Sequence, residues 1–302
     1  MSSIALVGDV DGGVLRAAGW QVRGALLAMP YDDPGELASY ASVEELLEDD
    51  LDAVCLDGGD LLLARGLPAL RTAGRHVLLP TAAPLDLELL RRARAVDSRA
   101  EVAVALWERW EPWALTTAAA LQVIDSPVVQ ATVRGWPRGL AAACELVDLA
   151  QAWCGEVLAV VAAPAPLPAA ELGPGLPVAW SLLHASGATV LVSHEGAPVL
   201  ARLSFSTARF EAGPLGARWE GGVELPLLPT PDRREMPNIG PPPPGTAPGL
   251  LATAVHLLEL ARGDAPAAQW PWAADLGDLQ SVSRVLAALR ESARCEALVR
   301  VG

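Results

Sequence analysis

Two carboxylates, Glu145 and Asp148, stand three residues apart in an apolar stretch, Arg138–Trp153, whose pattern predicts a helix. That spacing puts both on one face. Such a pair has two uses. Two carboxyls in one apolar site can share a proton, which raises the pKa of one and makes it a base. Alternatively Glu145 is paired by an arginine such as Arg109 or Arg138, as a fixed ion pair. Both uses are open at this level. The composition narrows the rest: all 22 basic side chains among the 302 residues are arginine. Burial can tune a lysine amine to titrate near neutrality, whereas a guanidinium stays protonated and is a very poor proton shuttle. No reaction that needs an ε-amino group can run on this chain's own side chains.

The other reactive residue types give little. Cys55, Cys144, Cys154 and Cys295 show no CxxC spacing and fall on strand- or helix-like segments, so they read as buried thiols of a reducing, cytoplasmic setting. No metal site is expected. His184 and His194 sit in strand-like segments without a second ligand at metal spacing, and read as surface or interface histidines. His76 opens a strand and His256 lies in a helix, neither with a catalytic partner in sequence. There is no Gly-x-Ser-x-Gly turn and no P-loop. Trp107, Trp110 and Trp113 recur every three residues, as an aromatic wall over a ligand or as packing. The net charge of −14 argues against a nucleic-acid partner, and Arg91, Arg92, Arg94 and Arg99 read as a solvated helix face. Pro, Gly or a charge interrupts every apolar run before membrane-spanning length, so no membrane partner is expected.

These residues need a frame. Up to about residue 125, short apolar runs alternate with amphipathic stretches, which is the pattern of βαβ units and a parallel sheet. Strands are expected at Ile4–Val7, Val22–Met29, Ala53–Leu56, His76–Leu79 and Val102–Leu106, with helices at Ser42–Glu48, Leu61–Thr72 and Leu85–Val96. Ser42-Val43-Glu44-Glu45 is a capping box. Beyond Pro127, strands are expected at Val128–Val133, Leu158–Ala163, Val178–Leu183, Thr189–Ser193, Val199–Phe205 and Glu224–Leu228. The turn signals Ser186-Gly187 and Glu195-Gly196 suit an antiparallel sheet. Two proline-rich stretches, Pro164–Pro177 and Pro229–Pro248, are connectors. Helices Leu250–Arg262 and Leu276–Arg294 and a strand Leu298–Val301 close the chain. The expected fold class is therefore α/β: a Rossmann-like doubly wound parallel sheet over residues 1–125, then an α+β domain with an open mixed, mostly antiparallel sheet over 126–302. The last helix is expected to pack back toward the first domain. Val, Leu and Ala on the uncovered face of the second sheet suggest a homodimer.

The order of these landmarks resembles a known family. Ile4-Ala5-Leu6-Val7-Gly8 stands first, then Tyr40-Ala41-Ser42-Val43-Glu44-Glu45 with Leu51-Asp52-Ala53-Val54. Ala73-Gly74-Arg75-His76-Val77, Arg109-Trp110-Glu111-Pro112, Leu146-Val147-Asp148-Leu149-Ala150 before Trp153-Cys154-Gly155-Glu156-Val157, and Glu291-Ser292-Ala293-Arg294 follow in order. Over essentially its whole length the chain resembles the glucose–fructose oxidoreductase, inositol dehydrogenase and MocA (Gfo/Idh/MocA) family. The resemblance implies a nicotinamide dinucleotide, NAD(P), in the first domain and a small-molecule ligand in the interdomain cleft.

It also implies where the functional groups stand. The family's Gly-x-Gly-x-x-Gly turn falls on Gly8-Asp9-Val10-Asp11-Gly12-Gly13, which makes Gly8, Val10 and Gly13 the cofactor-binding positions and puts valine at the central glycine. Asp32 is the nearest candidate for the ribose-binding acid; Asp9, Asp11, Asp57 and Asp60 crowd carboxylates onto the same sheet edge. The family's catalytic lysine falls on Thr81 and its catalytic histidine on Glu145, while its aspartate is kept as Asp148. The reading that follows is a divergent homologue without the catalytic Lys and His, acting as a non-redox binding or scaffolding protein. The other reading is an NAD(P)-dependent oxidoreductase on a small polyol, sugar or related metabolite, working with substituted residues.

Overall fold

The computed structural model describes residues 2–8, 10, 12–26, 37–57, 65–80, 85–124, 126–137, 139–163, 179–194, 199–206, 208–220, 248–263 and 273–302. In chain order the elements are β1 (Ser3–Val7), α1 (Gly12–Ala17), β2 (Gln21–Leu26), β3 (Ala38–Ser39), α2 (Val43–Glu48), β4 (Ala53–Leu56), α3 (Leu67–Thr72), β5 (His76–Leu79), α4 (Leu87–Ala95) and β6 (Val102–Val104). A 3-10 turn (Trp107–Trp110), α5 (Pro112–Val123), β7 (Gln130–Arg134), α6 (Leu140–Cys154), β8 (Val157–Ala162), β9 (Ala179–His184), β10 (Thr189–Ser193) and β11 (Leu200–Ser204) come next. The chain closes with β12 (Arg209–Gly213), β13 (Gly216–Glu220), α7 (Pro248–Arg262), α8 (Leu276–Cys295) and β14 (Val299–Arg300).

The chain divides into two compact units, Met1–Trp107 with Arg233–Gln280, and Glu108–Asp232 with Ser281–Gly302. In the first, the described strands form a parallel sheet in the order β3-β2-β1-β4-β5-β6, the doubly wound arrangement. Strands β1, β4 and β6 are buried throughout, because helices cover both faces of such a sheet. Their apolar runs without alternation follow from that. The strand order reverses between β1 and β4, so the crevice where doubly wound sheets bind ligands lies beyond Val7 and Leu56. The capping box is present: Ser42 Oγ accepts the Glu45 N–H at 3.2 Å. Its other arm reaches one residue further back than expected, since Glu45 Oε2 accepts the Ala41 N–H at 2.6 Å.

The second unit holds a mixed, mostly antiparallel sheet, ordered β13-β12-β11-β7-β10-β9-β8-β14 among the described strands; only β7 and β10 run parallel. Here burial alternates along β7, β9, β10 and β11, as expected for a sheet with one packed and one open face. α5 lies against β12 and β13. Ser292 of α8 accepts the Ala162 N–H at 3.0 Å and donates to Ala297 O at 2.5 Å, which aims the chain into β14.

Two expectations are corrected. Cys55, Cys144 and Cys154 are buried, but Cys295 is exposed at the last turn of α8. His184 is buried, not at the surface: it ends β9 facing the core, with Nδ1 2.7 Å from Gly155 O. The expected strand Glu224–Leu228 lies outside the described residues, as do the proline-rich stretches apart from Pro229–Pro248's last residue, Pro248, which opens α7.

Candidate functional site

The first candidate region follows β1. Gly8 has φ 90°, a backbone that side chains with a Cβ rarely adopt, and this turns the chain out of the sheet. Its N–H donates to Leu26 O at 2.9 Å, and the Asp57 N–H donates to Val7 O at 2.8 Å, so the strand end is tied on both sides. Val10 donates its N–H back to Gly8 O at 3.1 Å. Its side chain is half-buried against the apolar core of Leu6, Val14, Leu15 and Ala25. A valine here is thus held by packing, and its amide is engaged inside the turn. Gly13 lies in the first turn of α1. Its neighbour is a close-packed position: a Cβ on Gly12 would meet Leu6 Cδ1 at 3.3 Å, so Gly12 lets α1 sit close on β1. The motif spacing pointed to Gly13 and missed this. Asp32, Asp9, Asp11 and Asp60 lie outside the described residues, and so does Thr81.

The second candidate region is α6. Every residue from Ala143 to Ala150 is buried, including Glu145 and Asp148 at 7% and 3% exposure. Charges this deep need partners. Each carboxylate finds a partner in the 3-10 turn Trp107–Trp110. Arg109 donates Nε and Nη2 to the two oxygens of Asp148, each at 2.5 Å, a bidentate clamp. The Glu108 N–H donates to Glu145 Oε2 at 3.2 Å. Sequence reasoning offered Arg109 to Glu145; the clamp goes to Asp148 instead, because the turn places the guanidinium one helical turn further along α6. Arg138, the other cation considered, lies outside the described residues.

The surroundings of that turn are acidic and aromatic. Burial raises the Glu108 and Glu111 carboxyls; Glu111 pushes Glu108 up further, and a hydrogen bond with Trp113 opposes that. The tryptophans do not act as one stripe. Trp107, on the first unit, donates Nε1 to Pro80 O at 3.1 Å. Trp113 meets Trp136 and Trp153 edge-on at 6.2 and 6.1 Å, within the second unit. The recurrence breaks because Trp107 and Trp110 sit on a 3-10 turn and Trp113 on α5. Chemically, the α6 cluster is an anchor. A carboxylate gripped at both oxygens by one edge of a guanidinium is fixed in place, and a guanidinium is a very poor proton shuttle. Among the described residues no three His, Cys, Asp or Glu side chains are placed to hold a metal ion, and no helix is long and apolar enough to cross a membrane.

No protein-family model matches the chain, and no curated protein matches it in sequence. Solved structures do match in fold. The aldose–aldose oxidoreductase of Caulobacter crescentus, complexed with glycerol, is 16% identical, with a TM-score of 0.69 over 99% of both chains. The WlbA dehydrogenase of Bordetella pertussis, in complex with NADH and UDP-GlcNAcA, is 16% identical, with a TM-score of 0.70 over 100% of this chain and 98% of its own. An inositol dehydrogenase homologue from Azotobacter vinelandii, complexed with NADH and myo-inositol, gives 16%, 0.68, and 99% and 97% coverage. With the parallel sheet in doubly wound order and the mixed sheet after it, this chain has the fold of the Gfo/Idh/MocA-type oxidoreductases.

Proposed function

We propose that the protein is a non-redox binding or scaffolding protein built on the oxidoreductase fold, and that its ligand is a small molecule. The observation that carries this reading is the engagement of α6: Asp148 clamps Arg109 and Glu145 takes the Glu108 amide. The positions that resemble the family's catalytic helix thus fasten a turn. Thr81 at the lysine position, in a chain without lysine, adds to it. So does the loop after β1, which does not fit a dinucleotide diphosphate. Such a site needs bare backbone N–H groups near the phosphates, whereas Val10 turns its amide onto Gly8 O and packs its side chain against the core. Glycerol, myo-inositol and a nucleotide sugar in the relatives' structures suggest a hydroxyl-rich ligand. A homodimer is part of the same reading, supported by the exposed Val161 and Leu191 on the second sheet. So is a cytoplasmic location, supported by thiols that form no disulfide.

A second reading is favoured by one observation: structures of the same fold hold NADH. Hydride transfer is the cofactor's chemistry and needs chiefly positioning, so an oxidoreductase with substituted residues is its content. Fluorescence titration of NADH and NADPH decides between the two. Two charge-assisted backbone hydrogen bonds forgone at the turn amount to about 3–5 kcal/mol, which turns a micromolar site into a millimolar one. Weak or absent binding in the unaltered protein, improved by Val10→Gly, is the expected result. Low-micromolar affinity without any substitution restores the oxidoreductase.

A further inference from the structure

Where β6 begins, a side chain stands in the place of a backbone carbonyl. β5 and β6 pair in parallel from Val77 and Val102 onward. Just ahead of that register the Val77 N–H donates to Glu101 O at 2.9 Å, and the Glu101 N–H donates to His76 Nδ1 at 3.1 Å. A backbone N–H can only donate, so Nδ1 is bare and the neutral ring carries its proton on Nε2. A carbonyl goes on accepting as the solution turns acid. An imidazole nitrogen stops accepting once it takes a proton.

His184 shows the opposite arrangement. Its Nδ1 faces Gly155 O at 2.7 Å, so the ring donates there, and its Nε2 is buried without a hydrogen-bond partner among the described residues. A second proton on that ring would be sealed from water with nothing to accept from it. The bond from Glu101 to His76 is open to solvent. A proton reaches that ring directly, and water can satisfy the amide once it is released. The far end of β6 is held by carbonyls instead: the Val104 N–H donates to Ala274 O and the Ala105 N–H to Leu79 O, each at 2.9 Å. Only the start of the strand depends on a group that titrates near neutrality.

We infer that His76 is an acid-sensitive latch: when its ring takes a proton at Nδ1, the Glu101 amide is released and the start of β6 frays from β5, while the rest of the parallel sheet stays closed. The inference goes beyond the proposed function and does not depend on it. The ionisable groups on the elements around the ring are Asp52 ahead of β4, Arg71 on α3, Arg75 and Glu101 beside the two strands, and His256, Glu259 and Arg262 on α7. Burial favours the neutral ring; the Asp52 carboxylate, tied to the Ser3 N–H at 2.7 Å, favours the charged one and is outweighed. The ring therefore titrates below its ordinary 6.5. The latch is closed above that value and opens as the pH falls below it.

Amide hydrogen exchange of the full chain, resolved by NMR at about pH 7 and about pH 5, tests the latch. With the intrinsic pH dependence of exchange divided out, protection of the Glu101 amide is expected to fall about three- to tenfold at the lower pH, as for one lost hydrogen bond, while that of Val54 on β4 holds. His256 does not confuse the window, since burial holds it down to about 4. His76→Asn offers an amide oxygen near the place of Nδ1 and does not titrate, so its Glu101 protection should not change with pH. His76→Phe should leave that amide unprotected at both. An unchanged Glu101 in the parent protein overturns the inference, as does an equal fall in His76→Asn or a fall shared by Val54. The parent protein also gives a test that needs no variant. Imidazole 15N shifts at about pH 7 should show Nδ1 bare and Nε2 protonated; the reverse tautomer overturns the latch. None of these outcomes bears on the nicotinamide titration.

Discussion

The two sheets bury their side chains in opposite ways. β1, β4 and β6 are inaccessible on both faces, while β7, β9, β10 and β11 alternate between a packed and an open face. The first sheet can therefore present chemistry only at its strand ends, where Gly8, Val10 and Asp57 stand. The second can present a whole surface, on which Arg202 and Arg218 hold Glu211 between them. The two sheets of this fold therefore offer two different kinds of site.

The sharpest way to break the contrast is a charge in each sheet. Val54→Asp places a carboxylate between Ala5 and Val77 with no face open to water. We expect a loss of more than about 4 kcal/mol in urea denaturation, or no folded protein at all. Retained stability would mean that the first sheet is not closed on both sides.

A smaller effect is read from the pH dependence of stability. His256, on the α7 helix that lies against β5 and β6, is held by burial down to about 4 from an ordinary value of 6.5. The folded state thus refuses a proton that the unfolded chain accepts. Stability from this group is complete above about pH 6.5 and is lost as pH falls toward 4, by about 2 kcal/mol after allowance for solvent screening. Burial lowers His76 and His184 as well, so their contributions have the same sign. Denaturation midpoints measured between about pH 7 and pH 4.5 should converge for His256→Gln and the parent protein at the acid end; a parallel offset would refute the assignment.

The smallest expected effect is on the open face. Leu191→Ser should change protomer stability by about 0.5 kcal/mol or less. A loss comparable with that of a core leucine would show that something covers this face within the protomer.

Much of the frame was legible because burial on both faces leaves its mark on composition. Ala53–Leu56 and His76–Leu79 are apolar runs that become strands with those bounds, and Ser42 caps its helix as its spacing implied. Elements without a pattern were missed. α5 is alanine-rich and apolar nearly all round, so no periodicity marked it, and α1 was hidden by being read as a glycine turn. The β12–β13 hairpin escaped because Gly216–Glu220 is exposed or half-exposed throughout and shows no alternation. At the site, the spacing of Glu145 and Asp148 correctly put both on one helix. It could not show that both reach the same turn, because Arg109 and Glu108 are distant in sequence and the turn's geometry decides which carboxylate meets which donor.

The anchoring of that turn bears on which parts of the chain can change. Replacing Glu145 by an apolar residue would remove the oxygen that accepts the Glu108 amide, at about 1–3 kcal/mol. Replacing Asp148 would break its buried pair with Arg109 at a larger cost, about 3–5 kcal/mol. Domains commonly hold only about 5–15 kcal/mol in all. Substitutions that keep the fold are therefore expected to accumulate on the exposed strands and to be rare at this joint between α6 and the turn.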